Sequence, residues 1–81
     1  MEITVGTVVF SKAGRDKSKM LLVVKVEGNY AYVCDGELRK VEKPKKKKLI
    51  HLQRTNYVEL IDSENLTDSQ VRGILYKYKP D

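Results

Sequence analysis

The sequence predicts a mainly β protein, in which a small barrel of five short antiparallel strands is followed by one C-terminal α-helix. Short segments rich in Val, Leu and Tyr alternate with turn residues over about the first fifty positions, as in small β-barrels. After residue 55 the apolar spacing changes to a helical period. The 81 residues make one folded unit with a small core, which we divide into a barrel at 1–54 and a C-terminal extension at 55–81.

Five segments have the composition of strands, and turn residues separate several of them. Gly28 and Asn29 tolerate positive φ, and the Asp35-Gly36 pair predicts a type I′ hairpin turn. Pro44 has no backbone N–H, so it marks a sheet edge or a break. The predicted strands are residues 6–11, 20–26, 30–34, 37–41 and 49–53.

The C-terminal extension carries the signals of a helix over about residues 67–78. Thr67 and Gln70 have the spacing of a capping box, and Leu66 and Val71 stand at the two positions of a hydrophobic staple. Gly73 weakens the helix, so we expect it to dock on the barrel or on a partner. One helical face carries Val71, Ile74, Leu75 and Tyr78.

The formal net charge of +5 is concentrated in the first two-thirds of the chain. Residues 1–54 have seven more basic than acidic side chains, whereas residues 55–81 have two more acidic than basic ones. Such a field attracts polyanions, of which nucleic acid is the commonest for a small basic domain. The sequence shows no secretion signal, lipidation motif or membrane span, so we expect a cytoplasmic protein that does not contact membranes.

Catalytic chemistry has little support in the sequence. No nucleophile has a recognisable base, and the acidic residues have no paired spacing, so we expect a protein that is not an enzyme. Cys34 is the only cysteine and His51 the only histidine, so we expect no metal and no cofactor. We interpret Cys34 as a small buried thiol at a strand end.

Two basic segments are the candidate binding residues. The first is the loop at 11–19, where Gly14 allows close approach of the backbone to a ligand, and Arg and Lys suit phosphate. Its predicted site residues are Lys12, Gly14, Arg15, Lys17 and Lys19. The second segment contributes Arg39, Lys40, Lys43, Lys45, Lys46, Lys47 and Lys48, and His51 follows it. The alternatives are a solvated polar loop, a solvated charge run or a localisation signal.

The lysine run has an alternating geometry if its chain is extended. Lys45 and Lys47 then project to one side, and Lys46 and Lys48 to the other. Tyr30 and Tyr32 share one face of their own predicted strand; we interpret them as core residues, although tyrosines also stack on RNA bases.

Residues 4–54 resemble a known family. "GTVVFSKAGRDKSKMLLVVKV" is similar to a KOW motif, with two strands around a basic loop centred on Gly14. "YVCDGELRKVEKPKKKKLIHLQ" resembles the archaeal and eukaryotic large-subunit ribosomal KOW proteins of the fourteen-e type, and similar short bacterial proteins. The resemblance implies an SH3-like barrel and RNA binding through both basic segments. Ser18 departs from the pattern, which often has glycine there; if the position needs a positive φ, Ser18 strains the loop or the loop takes another shape.

The sequence therefore predicts a non-catalytic RNA-binding protein of the cytoplasm, monomeric when free. Ribosomal RNA is the expected ligand, with ribosomal proteins as further possible partners. One alternative is a protein-interaction adaptor that uses the barrel and the helix. Another is a protein that binds double-stranded DNA, which rests on charge alone.

Overall fold

Five antiparallel strands form one sheet, and a C-terminal helix packs against it. This computed structural model describes residues 2–79, so residue 1 of the predicted barrel and residues 80 and 81 of the extension lie outside it. The strands are β1 (Thr7–Ser11), β2 (Met20–Glu27), β3 (Tyr30–Cys34), β4 (Lys45–Lys48) and β5 (Leu52–Val58). The helix is α1 (Asp68–Tyr78), and short 3-10 helices span Gly14–Asp16 and Leu49–His51.

The strand order is β4-β3-β2-β1-β5, which makes β4 and β5 the two edges of the sheet. These edges follow each other in the chain and are joined by the 3-10 helix Leu49–His51. That helix is tied to both neighbouring loops, because Lys12 N–H donates to the carbonyl oxygen of His51 and Leu49 N–H donates to that of Asn29. The predicted fold class is confirmed: a mainly β, five-stranded fold consistent with a small SH3-like barrel, with one C-terminal helix.

The sheet buries apolar side chains on both of its faces, because β1 to β3 alternate between two cores. The inner core consists of Val9, Leu21, Val23, Ala31, Val33 and Leu52. The outer core combines sheet and helix side chains, namely Val8, Leu22, Cys34, Val71 and Leu75. The helix is therefore part of the fold: of the two expected docking sites, the barrel or a partner, it packs on the sheet of its own chain.

The predicted positions of the fourth and fifth strands are wrong. Residues 37–41 form no strand, and the lysine run at 45–48 pairs with β3 in their place. The type I′ turn is also absent, since Gly36 has a φ of 80° but Asp35 has no positive φ. Instead, the Asp35 carboxylate accepts hydrogen bonds from the N–H groups of Glu37 and Arg39, both at 2.9 Å, which curls the chain into a loop. Most of the segment predicted as the fifth strand, 49–51, is 3-10 helix, and β5 begins at residue 52.

The start of α1 matches its sequence signals. Thr67 is the N-cap, and both hydrogen bonds of the capping box form between Thr67 and Gln70. Leu66 and Val71, the predicted staple residues, lie in the same apolar cluster. The helix prediction is thus confirmed in position, cap and buried face.

The helix also holds the connection between β3 and β4. The Asp68 carboxylate accepts a 2.8 Å hydrogen bond from Val41 N–H, and the Arg72 guanidinium donates to the Gly36 carbonyl at 2.7 Å. A Cβ on Gly36 would lie 2.5 Å from the backbone oxygen of Asp68, so only glycine fits there. Since this connection carries Arg39, the helix positions part of the basic surface.

Cys34 is fully buried at the end of β3, as predicted. Burial, together with the carboxylates of Asp35 and Asp68, raises the pKa of its thiol to about 12. The thiol is therefore protonated at neutral pH and acts as a small apolar side chain.

Candidate nucleic-acid interface

The two basic segments meet at one buried carboxylate, that of Asp16. Its side chain is only 4% exposed. The Arg39 guanidinium donates to Asp16 Oδ2 through Nη2 at 3.0 Å and Nε at 3.2 Å, and Lys47 Nζ lies 3.6 Å from the same oxygen. Because Asp16 belongs to the first loop and both cations belong to the second segment, this ion cluster joins the two segments into one surface.

Lys47 points toward the first loop and is not free in solvent. Its side chain is 10% exposed, and its ammonium also donates to the Ala13 carbonyl at 3.4 Å. Its cross-strand partner is Ala31 of the inner core. Lys47 and Arg39 thus have a structural role in the fold, and their contact with RNA stays a prediction.

Lys19 is also paired, with Asp35. Lys19 Nζ lies 3.5 Å from Asp35 Oδ2. Burial opposes ionisation of Asp35, but the N–H groups of Glu37 and Arg39 and the Lys19 ammonium outweigh it and hold the Asp35 pKa below its ordinary value. This pair fixes the exit of the first loop against the end of β3.

The remaining predicted cations are exposed and form no ion pair with another residue within 2–79. They are Lys12, Arg15, Lys17, Lys40, Lys43, Lys45, Lys46 and Lys48. His51 is exposed as well and lies beside the first loop through the Lys12 backbone hydrogen bond. Because the ion cluster holds both segments, these exposed cations are displayed on a fixed framework.

The lysine run has the alternating geometry predicted for it. In β4, Lys45 pairs with Val33 and Lys47 with Ala31, so these two lysines lie on the inner side of the sheet. Lys46 and Lys48 lie on the outer side. Lysines on an edge strand also hinder strand-to-strand aggregation, which is a second role open to this run.

The interpretation of Tyr30 and Tyr32 as core residues is wrong. Both are half-buried on the outer face of β3, whereas Ala31 and Val33 occupy the inner core. Because side chains alternate along β3, Ala31 and Val33 occupy its inner side and the two tyrosine rings lie on its outer side. Lys46 Nζ lies 4.5 Å from the centre of the Tyr30 ring and 6.0 Å from that of Tyr32.

Two residues of the first loop have left-handed backbone conformations. Gly14 has a φ of 75° and Ser18 a φ of 71°, so serine occupies a positive-φ position in this loop. Ser18 N–H donates to the Ser11 carbonyl at 2.7 Å, and this bond closes the loop. Serine in this conformation is strained, because its Cβ crowds the backbone.

Replacing Ser18 with glycine should therefore stabilise the fold. We expect a gain of about 0.5–1 kcal/mol, the relief of left-handed strain less the added freedom of glycine in the unfolded chain. This gain corresponds to a rise in Tm of about 2–8 °C, read by thermal unfolding followed by circular dichroism. Ser63→Gly is the matched control, since Ser63 is exposed and has no positive φ. A Tm for Ser18→Gly no higher than that of Ser63→Gly would show that Ser18 is unstrained.

No protein-family model matches the chain, and no curated protein matches it significantly. Within residues 2–79, no group of three or more His, Cys, Asp or Glu side chains could hold a metal ion. No helix in that range is both long and apolar enough to cross a bilayer.

Proposed function

We propose that this protein is a non-catalytic RNA-binding module. The observation that carries the proposal is the set of eight exposed cations on two segments that Asp16 holds together. Exposed ammonium and guanidinium groups without an ion partner are suited to neutralise phosphates. Because the ion cluster orders both segments when the protein folds, RNA binding does not have to supply that ordering free energy.

The mechanism is phosphate neutralisation by the two basic segments. Arg15 adds directional hydrogen bonds, because a guanidinium matches two phosphate oxygens at once, and the lysines act as point charges. Backbone contacts of this kind fix register and read the shape of a helix more than its base sequence. Arg39 supports the surface through its pair with Asp16.

Ribosomal RNA is the ligand we propose, with action in the cytoplasm at the large ribosomal subunit. The resemblance of residues 4–54 to ribosomal KOW proteins supports this choice, and the SH3-like strand arrangement is compatible with it.

The surface that a protein-interaction adaptor was expected to use is buried in this fold. The apolar face of α1 was its expected docking site, but Val71 and Leu75 are buried against the sheet, with Ile74 and Tyr78 packed beside them. A partner protein would have to displace the outer core to reach that face. RNA binding therefore remains the better-supported function.

Sequencing of RNA crosslinked to the protein in cells tests this proposal. We expect enrichment of ribosomal RNA, and we expect RNA that co-purifies at low salt to leave at high salt. Unrelated messages without ribosomal enrichment would contradict the ribosomal assignment. Absence of RNA at low salt, or stronger binding to a DNA duplex than to the RNA duplex of the same sequence, would contradict RNA binding itself.

A further inference from the structure

The outer face of β2, β3 and β4 carries an aromatic and cationic patch outside both apolar cores. Cross-strand pairing places Lys25 beside Tyr32 and Tyr32 beside Lys46; it also places Tyr30 beside Lys48. We call these five residues the tyrosine patch. The helix covers a different part of the outer face, around Val8, Leu22 and Cys34.

A bulge in β2 explains why the patch lies outside the helix footprint. The pairing of β2 with β3 shifts between Val23 and Lys25, which puts Val24 in the outer core and Lys25 on the same outer face. Beyond the bulge, the outer side chains are polar or aromatic. The sheet thus changes from a helix-covered face to an open one.

We propose that the tyrosine patch is a stacking site for unpaired RNA bases, an inference that rests on the proposed RNA-binding function. Tyr30 and Tyr32 are two residues apart on one face, which separates them by roughly 6–7 Å along the strand. Each ring can therefore take one base of an extended single strand. Base stacking on aromatic side chains tolerates any sequence, because every base has a π face.

The lysines of the patch fit the same ligand. Lys46 lies over both rings, at 4.5 and 6.0 Å, and Lys25 Nζ lies 5.3 Å from the Tyr32 ring. A cation–π contact of an exposed lysine is weaker than a base stack, so a base can displace the ammonium from the ring. The flexible lysine then moves to the phosphate of the same nucleotide.

The charge of the patch favours a polyanion. Lys25, Lys46 and Lys48 give the patch three positive charges. The Glu27 carboxylate, whose Oε2 lies 3.5 Å from Lys25 Nζ, adds one negative charge beside it. Glu27 also accepts a long hydrogen bond, at 3.5 Å, from the Tyr32 hydroxyl. This contact lies at the rim of the ring, so a base reaches the ring face once the ammonium groups of Lys25 and Lys46 move away from it.

The test compares a single-stranded oligouridine with an RNA duplex at one salt concentration. Replacing both tyrosines with leucine should weaken binding of the oligouridine about 10- to 100-fold and change duplex binding less than about twofold. The double variant to phenylalanine should bind the oligouridine like the wild type, because the stacking rings remain. Tyr76→Leu is the matched control, since Tyr76 is 79% exposed on α1 and outside the patch.

Tyrosine fluorescence of the wild type gives an independent readout. The chain has five tyrosines and no tryptophan, so bases stacked on Tyr30 and Tyr32 should quench part of its emission. Unchanged oligouridine affinity in the leucine variant, or no quenching in the wild type, would overturn the stacking site. If the stacking site is overturned but the protein still binds the RNA duplex, the proposed function stands. If the wild type binds neither RNA, the stacking site and the proposed function are both overturned.

Discussion

Replacing Asp16 with alanine is expected to cost about 2–3 kcal/mol of folding stability, because it leaves two cations near a buried site without their partner. Asp16 is the shared partner of Arg39 and Lys47, and its side chain is almost fully buried. The full cost of breaking a buried ion pair is larger, but the Arg39 side chain is 28% exposed and recovers part of its hydration.

Thermal unfolding measures this loss. We expect the Tm to fall by about 10–20 °C, given the size of the domain. Glu42→Gln is the control, since Glu42 is exposed and the substitution also removes one negative charge from residues 1–54. If Asp16→Ala and Glu42→Gln shift the Tm equally, the ion cluster does not hold the two segments together.

Replacing the three exposed lysines of β4 with alanine is expected to give the largest change in RNA binding. Lys45, Lys46 and Lys48 are exposed and unpaired within residues 2–79, so each can bind one phosphate. A plot of log K against log salt should then flatten by about 2–3 units, because each neutralised phosphate adds about 0.7–0.9 to the steepness of the slope. The affinity at low salt should fall in parallel.

Lys47 gives a control from the same strand. Lys47→Met should leave the salt slope nearly unchanged, because the Lys47 ammonium already faces Asp16 and the Ala13 carbonyl. Lys47→Met should instead lower the Tm of the protein. A triple variant with the wild-type slope, or a Lys47→Met variant whose slope flattens by about one unit, would contradict the division between exposed and structural lysines.

The sequence predicted those elements that form through contacts between residues close together in the chain. Thr67 and Gln70 cap α1 through groups three residues apart, and the strands β1 to β3 follow runs of apolar residues. Local contacts determine the chain around Asp35 and Gly36 only in part: the N–H groups of Glu37 and Arg39 bind the Asp35 carboxylate and close a loop, but they do not place that loop on the sheet. Its course depends on Asp68, which accepts a hydrogen bond from Val41 across 27 positions of sequence.

The composition of the lysine run did not predict a strand, because lysine is depleted in strands and none of the four residues is apolar. It pairs because β3 offers an open edge and Lys47 reaches Asp16. One feature of the sequence indicated a special role for Asp16: it is the only acidic residue in a loop with four basic residues. A lone carboxylate in such a field is suited to be a shared ion partner, but sequence does not show which cations reach it.

The salt dependence of the wild-type protein's affinity for a ribosomal RNA helix tests the central claim most directly. If five or six phosphates are neutralised, log K should fall linearly with log salt at a slope of about −4 to −5. A slope near zero, or no measurable binding at low salt, would contradict the account that the exposed cations around Asp16 form an RNA-binding surface.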